Sequence, residues 1–263
     1  MHIQSKLPEV GTTIFTVMSQ LAVQHQAINL SQGFPDYECS PELIKLVDHY
    51  MRSGYNQYAP MAGLLSLRER IAEKQEKLHH VIYNPDTEIT ITAGGTQALF
   101  ASIACVIRPD DEVIIFEPAY DAYGPTVTLF GGRIRSVELS APNYSIDWVE
   151  VEKLINDKTR MIILNYPNNP TGRTLDEHDI KCLINLTRDT NILLLSDEVY
   201  EHLIYDGKQH LSLSRYPELM ERSFITASFG KLLHATGWKV GYCLAPHWLM
   251  NEFRKIHQFE VFS

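Results

Sequence analysis

The sequence has few cysteines, no excess of basic charge and no long apolar run, and each absence excludes a class of protein. Its four cysteines are widely spaced and form no Cys-x-x-Cys pair, which favours reduced thiols in a cytoplasmic protein over a disulfide framework. The formal net charge of −9 argues against sequence-independent binding of nucleic acid, and no run of Lys and Arg indicates binding to an anionic membrane. The longest aliphatic runs, such as residues 192–195, are far shorter than a membrane span. No signal peptide is visible, and no histidine pair has His-x-x-x-His spacing, so no metal site is predicted.

What is present indicates a globular protein with a full core. The chain has 263 residues, of which 44% are hydrophobic and 21% charged, values that are ordinary for folded proteins. Length alone allows one large domain or two small ones. The first 40 residues show no strong period and are expected to form an arm. Ser40, Pro41 and Glu42 then predict a helix start, and Gly54 ends that helix.

Apolar runs of strand length alternate with segments of helical periodicity along the rest of the chain. We predict strands at residues 88–92, 112–116, 134–138, 161–165, 192–196, 224–227 and 240–245. We predict helices at residues 63–79, 96–107, 122–130, 148–155, 175–187 and 248–257, with Thr174 and Glu177 forming a capping box for the fifth of these. This alternation predicts an α/β fold whose mostly parallel sheet is covered on both faces, with ligands at the carboxyl ends of the strands.

Two loops that follow strands carry residues suited to binding an anion or a ring. The Ala-Gly-Gly-Thr-Gln segment at residues 93–97 joins a strand to a helix, and its small residues and helix N-terminus suit a phosphate group. The same segment also fits a plain strand–helix turn. The Asn-Tyr-Pro-Asn-Asn-Pro-Thr-Gly segment at residues 165–172 predicts a rigid loop that presents amide side chains, or again a simple turn before a helix.

Three charged residues follow later strands. Asp197 ends a buried strand, where a carboxylate is costly without a cation or a strong donor; a capping role for a following helix is the alternative. Lys231 follows the strand at 224–227, and a lysine in a cleft can lose its proton and attack a carbonyl group. Lys239 is suited to place a second cation near a phosphate. Either lysine alone would equally suit a solvated surface.

Taken together, these segments resemble the class I, fold-type-I aminotransferases. The matching segments are NYPNNPTG, SDEVYEHLIYDG, SFGKLLHATGWKVGYCLAP, the arm TTIFTVMSQLAVQHQAINLSQGFPDY and NQYAPMAGLLSLRERIA. Within that family the chain is most similar to the methionine aminotransferases and the kynurenine–glutamine transaminases. The resemblance implies pyridoxal 5′-phosphate as cofactor, an amino-acid donor, a 2-oxo acid acceptor and a homodimer, with no metal, nucleic acid or membrane as partner.

The resemblance also implies a role for each matched residue. Lys231 matches the lysine that binds the cofactor covalently and carries a proton in the reaction. Asp197 matches the acid that pairs with the pyridine nitrogen. Tyr200 and Asn169 match donors to the cofactor's phenolic oxygen, and Asn169 also belongs to the substrate side. Matches to the phosphate ligands are Gly95, Thr96, Gln97, Ser228 and Lys239.

Four further matches concern the ring, the neighbouring subunit and the substrate. Tyr120 matches the aromatic residue that stacks on the pyridine ring. Tyr58 matches a tyrosine that reaches the phosphate of the neighbouring subunit. Gly33 matches a backbone contact to the substrate carboxylate, and Phe15 is expected to line the side-chain pocket. Core packing is the alternative for Tyr58 and Phe15.

Family members continue beyond the point that corresponds to Ser263, and this difference from the family changes what we expect of the domains and of the function. We expect an arm at 1–40 and an incomplete cofactor-binding large domain at 41–263, without the C-terminal small domain and without the arginine that pairs with the substrate carboxylate. Exposed apolar surface is expected as a result. Three functions stay open: an aminotransferase for apolar, sulfur-containing or aromatic amino acids, a carbon–sulfur β-lyase that uses the same cofactor, and a catalytically inactive cofactor-binding chain.

Overall fold

Helices and strands alternate along most of the protein. The computed structural model describes residues 3–33 and 37–262; Phe34, Pro35 and Asp36 of the arm motif lie outside them. The helices are α1 (Ile14–Gln24), α2 (Pro41–Arg52), α3 (Leu65–His79), α4 (Gly95–Val106), α5 (Tyr123–Leu129), α6 (Trp148–Leu154), α7 (Glu177–Thr187), α8 (Pro217–Met220), α9 (Phe229–Leu232) and α10 (His247–Glu260). The strands are β1 (Ile89–Thr92), β2 (Glu112–Glu117), β3 (Arg133–Glu138), β4 (Thr159–Asn165), β5 (Leu193–Asp197), β6 (Ser223–Ser228) and β7 (Gly241–Leu244).

The strands form one seven-stranded sheet in the order β1-β7-β6-β5-β4-β2-β3. Strands β2 to β6 pair in parallel, which confirms the mostly parallel sheet. Strand β7 is the exception, since it runs antiparallel to both β6 and β1. All seven predicted strands are present, with ends that differ from the prediction by one or two residues.

The two faces of the sheet are covered by different helices. One face packs against α4, α5 and α10, and the other against α3, α6, α7 and α8. Strand β5 shows the consequence for the sequence: Leu193 and Leu195 face the first layer and Leu194 faces the second. Because both faces are buried, a central strand is a continuous apolar run and not an alternating one.

Side chains that accept from free backbone N–H groups cap α6 and α7, whereas α3 and α4 have no such cap. Asp147 accepts from two N–H groups of the first turn of α6. Helix α7 begins at Glu177, and its capping box is formed by Asp176 and Asp179. The prediction of a box from Thr174 was therefore wrong: it started the helix two residues early, because the stronger capping acid lies two positions later.

The arm contains a helix that was not predicted. Helix α1 has Thr13 as its N-cap and carries an apolar α1 stripe (Ile14, Val17, Met18 and Leu21), all exposed. These residues repeat at helical spacing, so the expectation of an arm without periodicity was wrong. Helix α2 begins at Pro41 as predicted, although the Ser40 side chain makes no capping hydrogen bond.

The four cysteines are all free. No helix in the described ranges 3–33 and 37–262 has the length and apolarity needed to span a bilayer.

Candidate active site

The carboxyl ends of the parallel strands open into a cavity of about 580 Å³. It is bounded by the loops after β1, β4, β5 and β6 and by part of the arm. Eleven residues singled out from the sequence line it, namely Phe15, Gly33, Gly95, Thr96, Tyr120, Asn169, Asp197, Tyr200, Ser228, Lys231 and Lys239. The structure therefore brings together residues that lie up to 224 positions apart in the chain.

Asp197 lies at the floor of this cavity with 5% of its surface exposed. One carboxylate oxygen accepts from the Tyr123 hydroxyl at 2.6 Å, and the other accepts from the Val199 N–H at 3.2 Å. Both donors are neutral, and the described residues include no salt-bridge partner for this acid. Burial raises the pKa of Asp197 to about 6, against the opposing effect of the two hydrogen bonds. A buried acid of this kind is completed by a cationic ligand.

The loop after β4 places an amide beside the Asp197 segment. Asn165 donates to the backbone carbonyl of Asp197 at 3.1 Å and accepts from the backbone N–H of Asn169 at 2.9 Å. The Asn169 amide in turn lies 3.4 Å from the Tyr200 hydroxyl. Burial raises the pKa of Tyr200, so its hydroxyl stays protonated at neutral pH. Two hydrogen-bond donors thus lie side by side on one wall of the cavity.

The opposite end of the cavity suits an anion. Helix α4 begins at Gly95, and its first N–H groups have no partner within the helix. Gly94 has a φ of +85°, and a Cβ at this position would lie 3.3 Å from Cε of Lys239. A Cβ on Gly241 would lie 2.7–2.9 Å from the backbone of three residues. Only glycine therefore allows β7 and Lys239 to approach the start of α4 this closely.

Hydroxyl groups complete this anion-binding end. Thr96 Oγ1 lies 3.4 Å from the Tyr120 hydroxyl, so the ring expected to stack on a ligand is held at the start of α4. Ser228 caps the short helix α9 by accepting from the Gly230 N–H at 3.1 Å. With Lys239 nearby, hydroxyls, N–H groups and a cation converge on one point, the donor set that a phosphate group requires.

Lys231 lines the same cavity, beside Tyr200. Its Nζ lies 5.7 Å from the centre of the Tyr200 ring. Burial lowers the pKa of Lys231, which increases the fraction of the neutral amine that can attack a carbonyl group.

Two predicted site residues lie elsewhere. The Gln97 side chain turns away from the cavity, bonds to Glu260 and lies 3.1 Å from Nδ1 of His257. Tyr58 is 78% exposed and packs edge-on against Phe262. Neither residue is among those that line the cavity.

Sequence reasoning missed several residues of the site. Among them, Tyr123 and Asn165 hold the Asp197 segment, and Leu203 and Tyr205 line the cavity. Asn165 belongs to a loop that was singled out only for its other asparagines. A signal for Tyr123 was its position three residues after Tyr120, at the start of a helix that follows a strand.

Comparison with known proteins gives a consistent result. The sequence model of the family "Aminotransferase class I and II" matches residues 25–263. The methionine aminotransferase of Escherichia coli is 47% identical over 99% of this chain and 67% of that protein. The probable N-succinyldiaminopimelate aminotransferase DapC of Mycobacterium tuberculosis is 34% identical over 97% of this chain and 65% of that protein.

A human protein and a crystal structure extend the comparison. Human kynurenine–oxoglutarate transaminase 1 is 33% identical over 92% of this chain and 61% of that protein. The crystal structure of Escherichia coli YbdL, for which a methionine aminotransferase function is described, superposes with a TM-score of 0.96 at 46% identity. It is covered over 68% of its chain, and this chain over 100%. The chain thus spans about two thirds of the length of the relatives it matches.

Proposed function

Because the chain belongs to the class I and II aminotransferase family, we propose that it transfers an amino group from an apolar, sulfur-containing or aromatic amino acid to a 2-oxo acid. The observation that carries the proposal is the cavity in which Lys231, Asp197 and the anion-binding end meet. Every curated relative described above carries aminotransferase or transaminase in its name. The β-lyase and inactive-chain alternatives have no comparable support.

Members of this family use pyridoxal phosphate, and the residues present fit that group. The buried Asp197 carboxylate has neutral donors and no cation, so it suits a protonated pyridine nitrogen. The cradle between Gly94 and Lys239 suits the phosphate. Asn169 and Tyr200 suit the phenolic oxygen, and Tyr120 suits the ring face.

In the proposed reaction the bound cofactor supplies an electron sink for the pair of electrons left on the substrate α-carbon. Asp197 would pair with a protonated ring nitrogen and favour its charged form. Lys231 Nζ, once neutral, would take the proton from the substrate α-carbon. Thr96, Ser228, Lys239 and the start of α4 would hold the phosphate and so orient the bound group toward Lys231.

Part of the cavity lining is apolar. Phe15 on α1 and Leu203 contribute to it, together with Gly33 and Tyr205. This lining favours an apolar or sulfur-containing side chain over a charged one. The Escherichia coli relative is named for methionine, and we propose a methionine-like donor for this chain as well.

The proposal includes a homodimer in the cytoplasm. Tyr58 is exposed and free to reach a second copy, and the α1 stripe leaves apolar surface for one. The four free thiols favour a reducing compartment. In this reading residues 1–40 form an arm at the substrate side, and residues 41–263 form the cofactor-binding domain.

A visible absorption spectrum tests the function. Protein mixed with pyridoxal phosphate should show the absorption band of lysine-bound cofactor, which should bleach on addition of methionine and return on addition of a 2-oxo acid. Lys231→Ala should abolish the band. Lys153→Ala is the matched control, since that lysine is exposed on α6 and pairs with Glu150.

The outcomes separate the three functions. A Lys231-dependent band that bleaches and recovers supports transamination. Release of pyruvate and ammonia from a cysteine conjugate would instead indicate a β-lyase. A band that never bleaches would indicate cofactor binding without turnover, and no band in a folded sample would overturn the cofactor assignment.

A further inference from the structure

Two buried acids stand next to each other at the end of β5. Asp197 is 5% and Glu198 is 3% exposed. Side chains alternate across a strand, so Asp197 follows Leu195 toward the α4 layer and Glu198 points toward the opposite layer. Two adjacent anions in a poorly solvated region repel each other and favour protonation of one of them.

Glu198 is neutralised where it lies. One of its carboxylate oxygens lies 2.7 Å from Nε2 of His210. The other accepts from the Ser196 hydroxyl at 2.8 Å and from the Leu213 N–H at 3.2 Å. Burial favours the neutral acid, yet the His210 imidazole and these hydrogen bonds hold the pKa of Glu198 below its usual value. Burial likewise opposes a charge on His210, but Glu198 raises the pKa of the imidazole above its usual value.

The groups around this pair are themselves balanced. Glu201 bonds to Lys74 of α3, whose Nζ also lies 2.8 Å from the Tyr242 hydroxyl. The His79 and His202 rings lie 3.8 and 3.7 Å from the Glu201 carboxylate. The ionisable groups that face the pair or its neighbours are Lys74 and His79 from α3, Tyr83 from the segment after α3, Glu201 and His202 from the turn after β5, Arg215, which donates to the His210 carbonyl, and Tyr242 from β7.

Hydrogen bonds join Glu198 to the backbone that carries the site. Its N–H donates to the Thr226 carbonyl, and its own carbonyl accepts from the Glu201 N–H, both at 2.9 Å. These bonds fix the Glu198 backbone next to Asp197, and the side-chain hydrogen bonds to His210, Ser196 and Leu213 hold the carboxylate there.

We propose that Glu198 and His210 are positioning residues that act through Asp197: His210 cancels the charge of Glu198, which leaves Asp197 as the single net negative charge at this end of β5. The proposal rests on the proposed function in one respect, since Asp197 matters to catalysis only if it faces the cofactor nitrogen. Without His210, the uncompensated Glu198 would make Asp197 hold its proton more tightly. Asp197 would then be a weaker partner for a cationic ring.

The test is a titration of Asp197 in the cofactor-free protein. Carboxyl ¹³C resonances of labelled aspartate are followed by NMR against pH, and the Asp197 signal is assigned by its absence in Asp197→Asn. We expect His210→Gln to raise the Asp197 midpoint by about one pH unit. We expect Glu198→Gln to leave it unchanged or lower it. The double variant should return the midpoint to the wild-type value.

The sign pattern separates this role from a purely structural one. A structural role predicts that both single variants loosen the turn and move the midpoint in the same direction, with no recovery in the double variant. That pattern, or an unchanged midpoint in His210→Gln, would overturn the proposal. If a single variant fails to fold, the double variant still tests the pairing, because charge balance predicts a wild-type midpoint.

A second measurement keeps this proposal separate from the proposed function. At pH 5, below the Asp197 midpoint in either protein, the dissociation constant of pyridoxal phosphate should rise about tenfold in His210→Gln, as expected from a one-unit shift, and recover in the double variant. If the titration behaves as expected but no variant binds the cofactor, the proposed function fails and the charge balance stands. If the cofactor binds and the titration does not move, the charge balance fails alone.

Discussion

Glu112 and Asp197 are two buried acids at opposite edges of the same sheet, and their surroundings differ. Glu112 begins β2 and is 3% exposed; it accepts from Arg135 at 2.6 Å and from Asn156 at 2.8 Å. Asp197 ends β5 and accepts from two neutral donors. Hydrogen bonds from Arg135 and Asn156 lower the pKa of Glu112 to about 2, whereas burial raises that of Asp197 to about 6.

The difference shows how one sheet separates stability from chemistry. At the amino edge the acid has its cation within the fold, so it contributes to folding in every state of the protein. At the carboxyl edge the acid lacks a cation, and its burial is unfavourable until a ligand supplies one. Ligand sites of parallel sheets lie at this second edge. The burial of Asp197 there lowers the stability of the ligand-free protein and favours the binding of a cationic ligand.

The largest expected effect on activity comes from replacing Asp197, the acid without a cation. Asp197→Asn should lower transamination by about 10²–10³-fold, because the amide cannot hold the ring nitrogen in its charged form. Glu112→Gln is the matched control and should leave the rate unchanged. Steady-state kinetics with methionine and a 2-oxo acid measure both. Equal losses in the two variants would contradict the division between the edges.

The next effect is on stability against pH in the cofactor-free protein. The native pKa of Asp197, about 6, exceeds its usual 3.8, so the native state holds the proton more tightly than the unfolded chain. The free energy of unfolding should therefore fall as pH rises from about 4 to about 6, by about 3 kcal/mol at 1.36 kcal/mol per unit. Urea unfolding across that range should show a slope that Asp197→Asn reduces. Parallel curves for the two proteins would refute the assignment.

A smaller effect is expected from the donor that Asp197 does have. Tyr123→Phe removes the 2.6 Å hydrogen bond, so the carboxylate is less stabilised and its pKa rises further. At pH 5, below the Asp197 midpoint, activity should fall about tenfold for a shift of one unit, and the pH at which activity appears should move upward. The fold should be retained, since the ring still packs within the core. A Tyr123→Phe enzyme with the wild-type pH profile would show that this hydroxyl has no influence on Asp197.

The smallest effect is expected from replacing Glu112, the acid that already has a cation as partner. Because the native pKa of Glu112 lies below its usual 4.5, its contribution is present above pH 4.5 and is lost as pH falls toward 2. Glu112→Gln should lower the melting temperature by a few degrees at neutral pH, and the gap to the wild type should close in acid. A gap that persists at low pH would show that packing, and not charge, is responsible.

The strands and most site residues could be predicted because their signals are local. Apolar runs such as residues 192–195 are central strands, and residues after a strand end, such as Asp197 and Lys231, meet at one edge of a parallel sheet. The antiparallel direction of β7 was not predictable, because periodicity within a segment carries no information about its direction. The Tyr123 contact depends on how α5 packs against β5. The direction of the Gln97 side chain was likewise not predictable, because its partners lie on α10, about 160 positions later.

The prediction for the arm was wrong for a different physical reason. Helix α1 has a regular apolar repeat, but none of its residues is buried. A helix is assigned with most assurance when its stripe has a core to cover. The stripe of residues 14–24 covers no core, so the apolar repeat alone did not predict a helix.

The pairing of β1 with β7 has a consequence for how the protein is assembled during synthesis. Strand β1 lies at the edge of the sheet, and β7 is its neighbour there, about 150 positions later in the chain. Contacts of such long range close slowly and late, and a ribosome delivers the N-terminal partner first. The nascent chain therefore carries Asp197 and Lys231 before the start of α4 has a finished strand to rest on. We expect the anion-binding end to be the last part of the cavity to mature, and free cofactor to be captured only after residue 244 has joined the sheet.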